Sequence, residues 1–514
     1  MIVDISLDRR YDNPQLIFES LNSTGLELSQ ADLVRNYVLM GLEPAEMESL
    51  YRDYWFPMEQ RFGHTEYTDR FNRFMRDYLT VRTGRIPNID DVYSAFKAYA
   101  RSAETGGIRD IVAEIARFAR YYVDMALLRE PDPALREAFE DIAVLKVDVA
   151  YPFFLEMYEL YASQLLSRED LLAMARLVES YVFRRGICGI PTNSLNKTFA
   201  NLSKELDPDH RLDSLKAALQ RMESYRRFPS DQEFLQQLAI KDVYNFRSRN
   251  YLLRKLENAQ HKDRVIVENY TIEHILPQNE HLSPAWRQEL GPDWQEIQSR
   301  CLHRLGNLTL TLYNPELSDR PFIEKRDMEG GFRKTPLALN DGLRELHHWN
   351  EQSILERTES LARLASKLWP APNLTSDTLS KYSMKATSAP EGTHALTDFP
   401  ELKGPLLELF EELRTQILNL DSSVTERIDM GYITYATAED FIDVAPSANG
   451  LLILHLHVPF GDLYDPTGIA EETLPGSPFG GGEPLTQLRA TNELEDVMFL
   501  VLQAFDKQRE DSGA

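Results

Sequence analysis

A glutamate and a histidine stand side by side at Glu273 and His274, inside the stretch YTIEHILPQN. LGNLTL, carrying Gly306 and Asn307, follows about thirty residues later, and Asn314 then opens NPELSDRPF. Hydrolysis of a phosphodiester needs a base that takes a proton from water and a cation that steadies the leaving oxygen. An acid and an imidazole adjacent at a strand's end can divide those tasks, because neighbouring side chains on a strand point to opposite sides. On this reading neutral His274 takes the proton and the carboxylate of Glu273 holds a hard divalent ion. Asn314, at the start of the next helix, is expected to add a second oxygen ligand, and oxygen-rich ligation suits Mg2+ or Mn2+ better than zinc. Asn307 is placed to hold the loop bearing His274 through its backbone. His303 and Arg304 are the nearby candidates for phosphate contact. A single His beside a Glu is also what a structural histidine looks like. The weight rests on the whole spacing: EHxxP, thirty residues, GNLTL, then Asn.

The elements that must position these residues can be read around them. RVIVENYTIEHILPQ reads as a strand running into a Pro-terminated segment, and LGNLTLTLY as a second strand. A loop carrying Trp286 and Trp294 is expected between them, and NPELSDRPFIEKRDM is expected to proceed as one helix. ELHHWNEQSILERTESLARLASKLW reads as a last helix. Upstream, residues 12–260 repeat apolar side chains every three to four positions, the mark of mutually packed helices whose aromatics are core. Ser29 is the expected N-cap of one of them, with Asp32 at the capping-box position, and the Ser23-Thr24-Gly25 turn precedes it. Residues 370–393 are rich in Pro, Ser and Thr and read as a linker. Beyond them come a helix, strand candidates YITYAT, DFIDVAPS and GLLILHLHV, a Gly-rich loop and a closing helix. The expected architecture is therefore α+β and multidomain. A mainly helical domain spans 1–240, a ββα-metal domain 241–369, a linker 370–395 and a small acidic α+β domain 396–514.

The same segment resembles the C-terminal nuclease half of the GmrSD-type modification-dependent restriction endonucleases, an HNH, or ββα-metal, type with a His-x-x-Pro signature. The resemblance covers roughly 240–370, including Phe322, Lys325 and the closing Trp349 to Arg357 segment. It implies His274 as general base, Asn307 as the middle, loop-supporting residue, Asn314 as third-position ligand and Glu273 as metal-binding acid. Lys325 would touch phosphate. FESLNSTGLELSQADLVRNYVL and YVFRRGICGIPTNSLNKTF are similar to the partner half of that family, which implies a phosphate or DNA contact for Arg184 and Arg185. Complete members carry a DGQQR motif associated with nucleotide hydrolysis; neither it nor a GxxxxGK[ST] loop occurs here. The expectation is a truncated member or one half of a split system, relying on a protein partner for the nucleotide-hydrolysing segment. The tail from 396, through LYDPTGIA, its Gly-rich loop and the closing helix, resembles a small accessory domain often joined to predicted nucleases.

Composition sets limits on this picture. A chain of 514 residues is expected to hold two to four cores. Its two cysteines, Cys188 and Cys301, make neither a disulfide framework nor a zinc pair. No apolar run is long enough for a membrane helix and the start lacks a signal-peptide pattern, so a cytoplasmic protein is expected. The net charge of −25 opposes nucleic-acid binding by bulk electrostatics. Roughly 22 acids against about 6 Lys and Arg lie beyond residue 397, however, so the tail carries most of it. Residues 220–270 hold a basic run, including Arg227, Lys241, Arg249, Arg254, Lys255 and Arg264, that either meets phosphate or forms a solvated face. Gly480, Gly481 and Gly482 lack a following Lys or Ser/Thr and read as a surface turn. His347 and His348, as helix neighbours, cannot chelate one ion. His455 and His457 share a strand face without an accompanying acid or cysteine pattern, so both pairs are expected to be structural. The leading expectation is a metal-dependent DNA endonuclease of restriction or phage-defence type acting on DNA, including modified DNA. Its rivals are a non-cleaving DNA- or protein-binding module and a toxin-like nuclease restrained by a partner.

Overall fold

The computed structural model describes residues 28–511 apart from 41, 64–66, 103–106, 191, 193–194, 223–225, 260, 263, 268, 384–395, 419, 422–423, 438 and 474–480. The Ser23-Thr24-Gly25 turn, much of the expected linker and Gly480 lie outside the described residues. Among the described residues no helix is long and apolar enough to cross a membrane.

Ser29 caps α1 (Gln30–Leu39) by accepting from the Asp32 amide at 3.1 Å, and its hydroxyl donates to the Asp32 carboxylate at 2.7 Å. Helices α2 (Tyr67–Thr83), α3 (Ile108–Ala126), α4 (Pro133–Val144), α5 (Tyr151–Ala162) and α6 (Arg168–Ile187) follow. Their periodic apolar faces meet in one core, where Phe62, Phe71, Phe74, Tyr78 and Tyr122 pack ring against ring. These aromatics are thus core, as their spacing implies.

Helix α6 runs out of that core into the next. Its last turns bring Phe183 and Ile187 against α7 (Asp231–Ile240), α8 (Arg249–Asn258) and Trp369. The ring centroids of Phe183 and Trp369 are 4.1 Å apart. A boundary at 240 is therefore not a break in the packing. Part of the basic run before the strands is spent here. Arg176, Arg254 and Lys255 surround the fully buried Asp141, and Lys255 also meets the buried Glu179. Lys241 donates to the carbonyls of Gly186 and Ile187, and Arg264 pairs with Glu140. A buried carboxylate is tolerable only with such partners. Lys241, Arg254 and Lys255 therefore serve the interior, while Arg264 and Glu140 pair at the surface.

The strand pair is short. β1 (Thr271–His274) and β2 (Leu308–Thr311) run antiparallel, with Thr271 opposite Thr311 and His274 opposite Leu308. Between them stand two helices, α9 (Pro284–Leu290) and α10 (Trp294–Cys301), where a loop was expected. Ser283 caps α9, Pro284 fits its first turn, and Gly291 ends it at φ 83°. After β2 the expected single helix is two, α11 (Asn314–Leu317) and α12 (Phe322–Asp327), parted by Ser318 at φ 40° and by Pro321. Asn350 caps α13 (Glu351–Leu368), so His347, His348 and Trp349 precede that helix and do not lie in it. The loop entering β2 presses on α13. A Cβ on Gly306 would lie 2.1 Å from the Ile354 carbonyl oxygen and 2.3 Å from Thr358 Oγ1, which itself accepts from the Gly306 amide.

Beyond a helix at Ser376–Ser383, inside the expected linker, a six-stranded antiparallel sheet forms. Its members are β3 (Thr425–Asp429), β4 (Tyr432–Ala436), β5 (Asp440–Ser447), β6 (Leu451–Leu456), β7 (Glu471–Glu472) and β8 (Pro484–Leu488), in the order β3-β4-β5-β6-β8-β7. α14 (Pro405–Leu418) and α15 (Leu494–Asp511) cover one face, against Ile442, Val444, Leu452, Leu454 and Leu456. The alternation marks β4 to β6 in the sequence. The charged TERID of β3 and the Gly-flanked β8 carry no such mark.

Substituting Gly306→Ala forces α13 and the β2 loop apart. We expect a loss of about 1–3 kcal/mol, read as a lower denaturant midpoint in urea unfolding.

Candidate active site

β1 presents its last two side chains to opposite sides, and both are buried. On one side His274 Nε2 lies 3.1 Å from His303 Nδ1. Tyr244 completes this side: its ring stacks on His303 (5.2 Å, 12°) and meets His274 edge-on at 4.5 Å. The segment bearing Tyr244 is held there because the Val243 amide donates to the His303 carbonyl at 2.9 Å, while the Arg249 guanidinium lies over the tyrosine ring. Asp242 begins the same turn and accepts from the Asn245 amide and side chain. Burial, then the adjacent His303 and then the Lys325 ammonium push the His274 imidazole down to about 3, against an upward pull from Asp242. At neutral pH His274 is thus an uncharged imidazole and a weak base, whose proton affinity the negative charge of an adjacent phosphate would raise.

On the other side the Glu273 carboxylate receives Lys325 Nζ at 2.6 Å, and the same ammonium donates to the His274 carbonyl at 2.9 Å. Lys325 is fully buried. The expected phosphate contact from Lys325 is therefore corrected: its ammonium faces inward and fastens the strand bearing the acid and the imidazole. Burial raises the Glu273 carboxyl, Lys325 works against that, and the charge of Asp319 adds to the rise. Asp319 is a member of the site that the spacing argument missed. It stands in the break between α11 and α12, after the positive-φ Ser318, and accepts from Asn279 Nδ2 at 2.7 Å. An acid between the Asn and the Lys of NPELSDRPFIEK is the one mark of it in the sequence.

Asn307 is fully buried and makes four hydrogen bonds. Its Oδ1 accepts from the Leu276 amide (2.7 Å) and from Trp349 Nε1 (3.2 Å); its Nδ2 donates to the carbonyls of Leu276 (3.0 Å) and Leu302 (2.9 Å). The loop after His274 is thereby clamped, both ways, to the residue just before β2. Behind it the buried Arg357 donates to the carbonyls of Gly306, Leu308 and Leu339. With no acid beside it, burial pushes that guanidinium down to about 9.

The remaining candidates fall elsewhere. Asn314 donates its side-chain amide to the Ile272 carbonyl at 3.0 Å and to Thr271 Oγ1 at 3.3 Å, so it ties α11 to β1. Arg304 is half-buried next to His303 and donates to the Arg300 carbonyl. Arg184 and Arg185 are fully buried. Arg184 donates to the carbonyls of Trp369 and Pro229 and pairs with Asp231, and Arg185 lies over the Tyr181 ring. Their expected phosphate or DNA role is corrected, since neither reaches a surface. The oxygen donors that could take a cation are the Glu273 and Asp319 carboxylates.

This geometry lies inside a segment with known relatives. Residues 228–364 match the C-terminal domain of the GmrSD restriction endonucleases. The matched span holds β1, β2, the Asn307 clamp and all of α12. An uncharacterized protein of Haemophilus influenzae is 29% identical over 97 residues, which make up 19% of this chain and 32% of that protein. The chain thus spans about a third of the length of that curated relative.

The depressed His274 fixes a pH dependence. An unfolded imidazole binds its proton near pH 6.5 and the folded one near 3, so between those values the unfolded state holds more protons. The contribution is whole above about pH 6.5 and is lost as pH falls toward 3. The unfolding free energy measured from pH 7 to 4 should fall by up to about 1.4 kcal/mol per pH unit, and the slope should be shallower in His274→Gln. Equal slopes would contradict it.

Proposed function

We propose that this chain cleaves DNA by metal-dependent hydrolysis at an HNH-type ββα centre built on His274, in restriction of foreign DNA. The observation that carries the reading is a buried, neutral His274 held back to back with Glu273 on the first strand of an antiparallel pair, inside the span similar to a restriction endonuclease domain. Neutral His274 takes a proton from the water that attacks phosphorus, as the new P–O bond forms and the bond to the 3′ oxygen breaks. His303 and Tyr244 hold the imidazole in place, and Asn307 fixes the loop that follows it. The half-buried Arg304 and His303 are the groups available to a phosphate on that side.

The donor set suits a hard divalent cation such as Mg2+ or Mn2+. Glu273 and Asp319 offer oxygen, and their mutual repulsion, which raises Glu273, is relieved by a cation between them. Such an ion would supply charge stabilisation for the leaving oxygen. Asn314 keeps α11 on β1 and so sets where Asp319 stands. Its proposed share in ligation falls to its carbonyl oxygen, since its nitrogen is spent on β1. A protein partner that supplies nucleotide hydrolysis remains part of this proposal.

One observation favours a second reading, a non-cleaving DNA-binding module: Lys325 already neutralises the Glu273 carboxylate. Cleavage of plain and modified plasmid DNA with Mg2+ or Mn2+ separates the two. We expect wild type to cut and His274→Ala to lose on the order of 10²–10⁴-fold in rate while its circular dichroism is unchanged. DNA bound but uncut by wild type in every metal would give the case to the binding module.

A further inference from the structure

The C-terminal sheet carries a second constellation, on the face turned away from its two helices. The strand register sets Thr434 of β4, Asp443 of β5, His455 of β6 and Leu485 of β8 in one row. Alternation puts His457 on the same side as His455, and Glu483 on the same side as Leu485. Asp443 and His455 are buried, while His457 and Glu483 reach solvent. His457 Nε2 is 2.9 Å from Asp443 Oδ2, and His455 Nδ1 is 3.7 Å from the same oxygen. Those ligand atoms all lie within 4.8 Å of one another.

We propose that Asp443, His455 and His457 bind a divalent transition-metal ion, with zinc as the ordinary occupant. Two imidazoles and one carboxylate are the donor set such ions take, with the fourth position left to water. At metal–ligand distances near 2.0–2.2 Å, tetrahedral ligand atoms stand about 3.3 Å apart. With the ligand atoms within 4.8 Å of one another, the widest spacing needs closing by up to about 1.5 Å, within the reach of side-chain rotation. What raises this set above a chance polar row is its outer shell. His455 Nε2 lies 2.8 Å from Glu483 Oε2, an ion-pair contact that sets a carboxylate beside that nitrogen and leaves Nδ1 on the side of Asp443. Thr434 Oγ1 donates to Asp443 Oδ1 at 2.6 Å and leaves Oδ2 for the ion. A ligating histidine backed by a carboxylate and a ligating carboxylate held by a hydroxyl are how metal sites orient their ligands. Mg2+ is a poor fit, since it prefers oxygen alone. The nitrogen donors set this site apart from the carboxylates near His274, and the proposal does not depend on the nuclease reading.

The test uses the full chain, stripped with chelator and titrated with Zn2+ by calorimetry, with Co2+ as a spectroscopic probe. We expect one ion per chain, a thermal midpoint several degrees higher with Zn2+ than in chelator, and the visible bands of four-coordinate Co2+. His457→Ala, whose side chain is partly exposed, and Asp443→Asn should lose the ion yet match wild type in chelator. Glu483→Gln should weaken binding by about 10–100-fold, and His274→Ala should leave it intact. Binding of less than a stoichiometric ion by wild type, or equal binding by wild type and His457→Ala, would overturn the proposal. In that case the row is an ion-paired polar network only.

Discussion

The last two residues of β1, an acid and an imidazole on opposite faces, are both buried. A buried carboxylate costs several kcal/mol unless a cation and hydrogen bonds compensate it. Much of the surrounding structure follows from meeting that demand on both sides of four residues. Helix α12 must come close enough to deliver Lys325 to Glu273, and the turn at Ser318 and Pro321 is what bends the chain there. On the far side the segment from Asp242 to Asn245 must fold back so that Tyr244 and His303 can line His274. Lys325 joins the two sides, since it also holds the His274 carbonyl.

The chain meets buried charge in more than one way. Asp141 and Glu179 draw in Arg176, Arg254 and Lys255 from two helices. Arg184 and Arg357 lean on backbone carbonyls. Turning Lys241, Arg254 and Lys255 inward thins the basic run beside the site, of which Arg247, Lys262 and Arg264 stay exposed, and it deepens the electrostatic problem that a net charge of −25 poses for a DNA-binding reading. Affinity on that reading must come from few, local contacts near Arg304 and from the ion itself, with the helical domain and the acidic tail contributing little attraction.

What the sequence could disclose was local. β1, β2 and the Ser29 cap follow from alternation and capping chemistry within a few residues, and Asn307 could be assigned to the His274 loop because the motif spacing brings their strands together. The misreadings share one cause: each depended on a partner far along the chain. Lys325, Arg184 and Arg185 look like surface cations until packing shows what each neutralises or donates to. Tyr244 and Asp319 carry no pattern of their own and become site members only when a turn delivers them. His455 and His457 show no acid nearby in sequence, yet Asp443, twelve residues away, is their cross-strand neighbour. The segment between the strands was open to a better reading, since Ser283-Pro284 and Gly291 are start and stop signals for a helix too short to show periodicity.

Lys325 poses the sharpest question for any cation at Glu273, since two positive charges would share one carboxylate. The charge count favours room for both. Glu273 and Asp319 carry two negative charges and Lys325 one positive, and Asp319 acts on both partners of the ion pair. The ammonium grips Oε1 from inside the fold and also bonds a backbone carbonyl, so its place is fixed by the strand rather than by the carboxylate alone. Without it, burial and the charge of the exposed Asp319 would act unopposed on Glu273, and both favour its protonated form. With it, the ionised form of Glu273 is favoured over what burial alone would allow, and the three charged groups sum to one negative charge for an incoming ion. On this argument Lys325 acts as the standing counter-charge that keeps a buried acid ready for a cation.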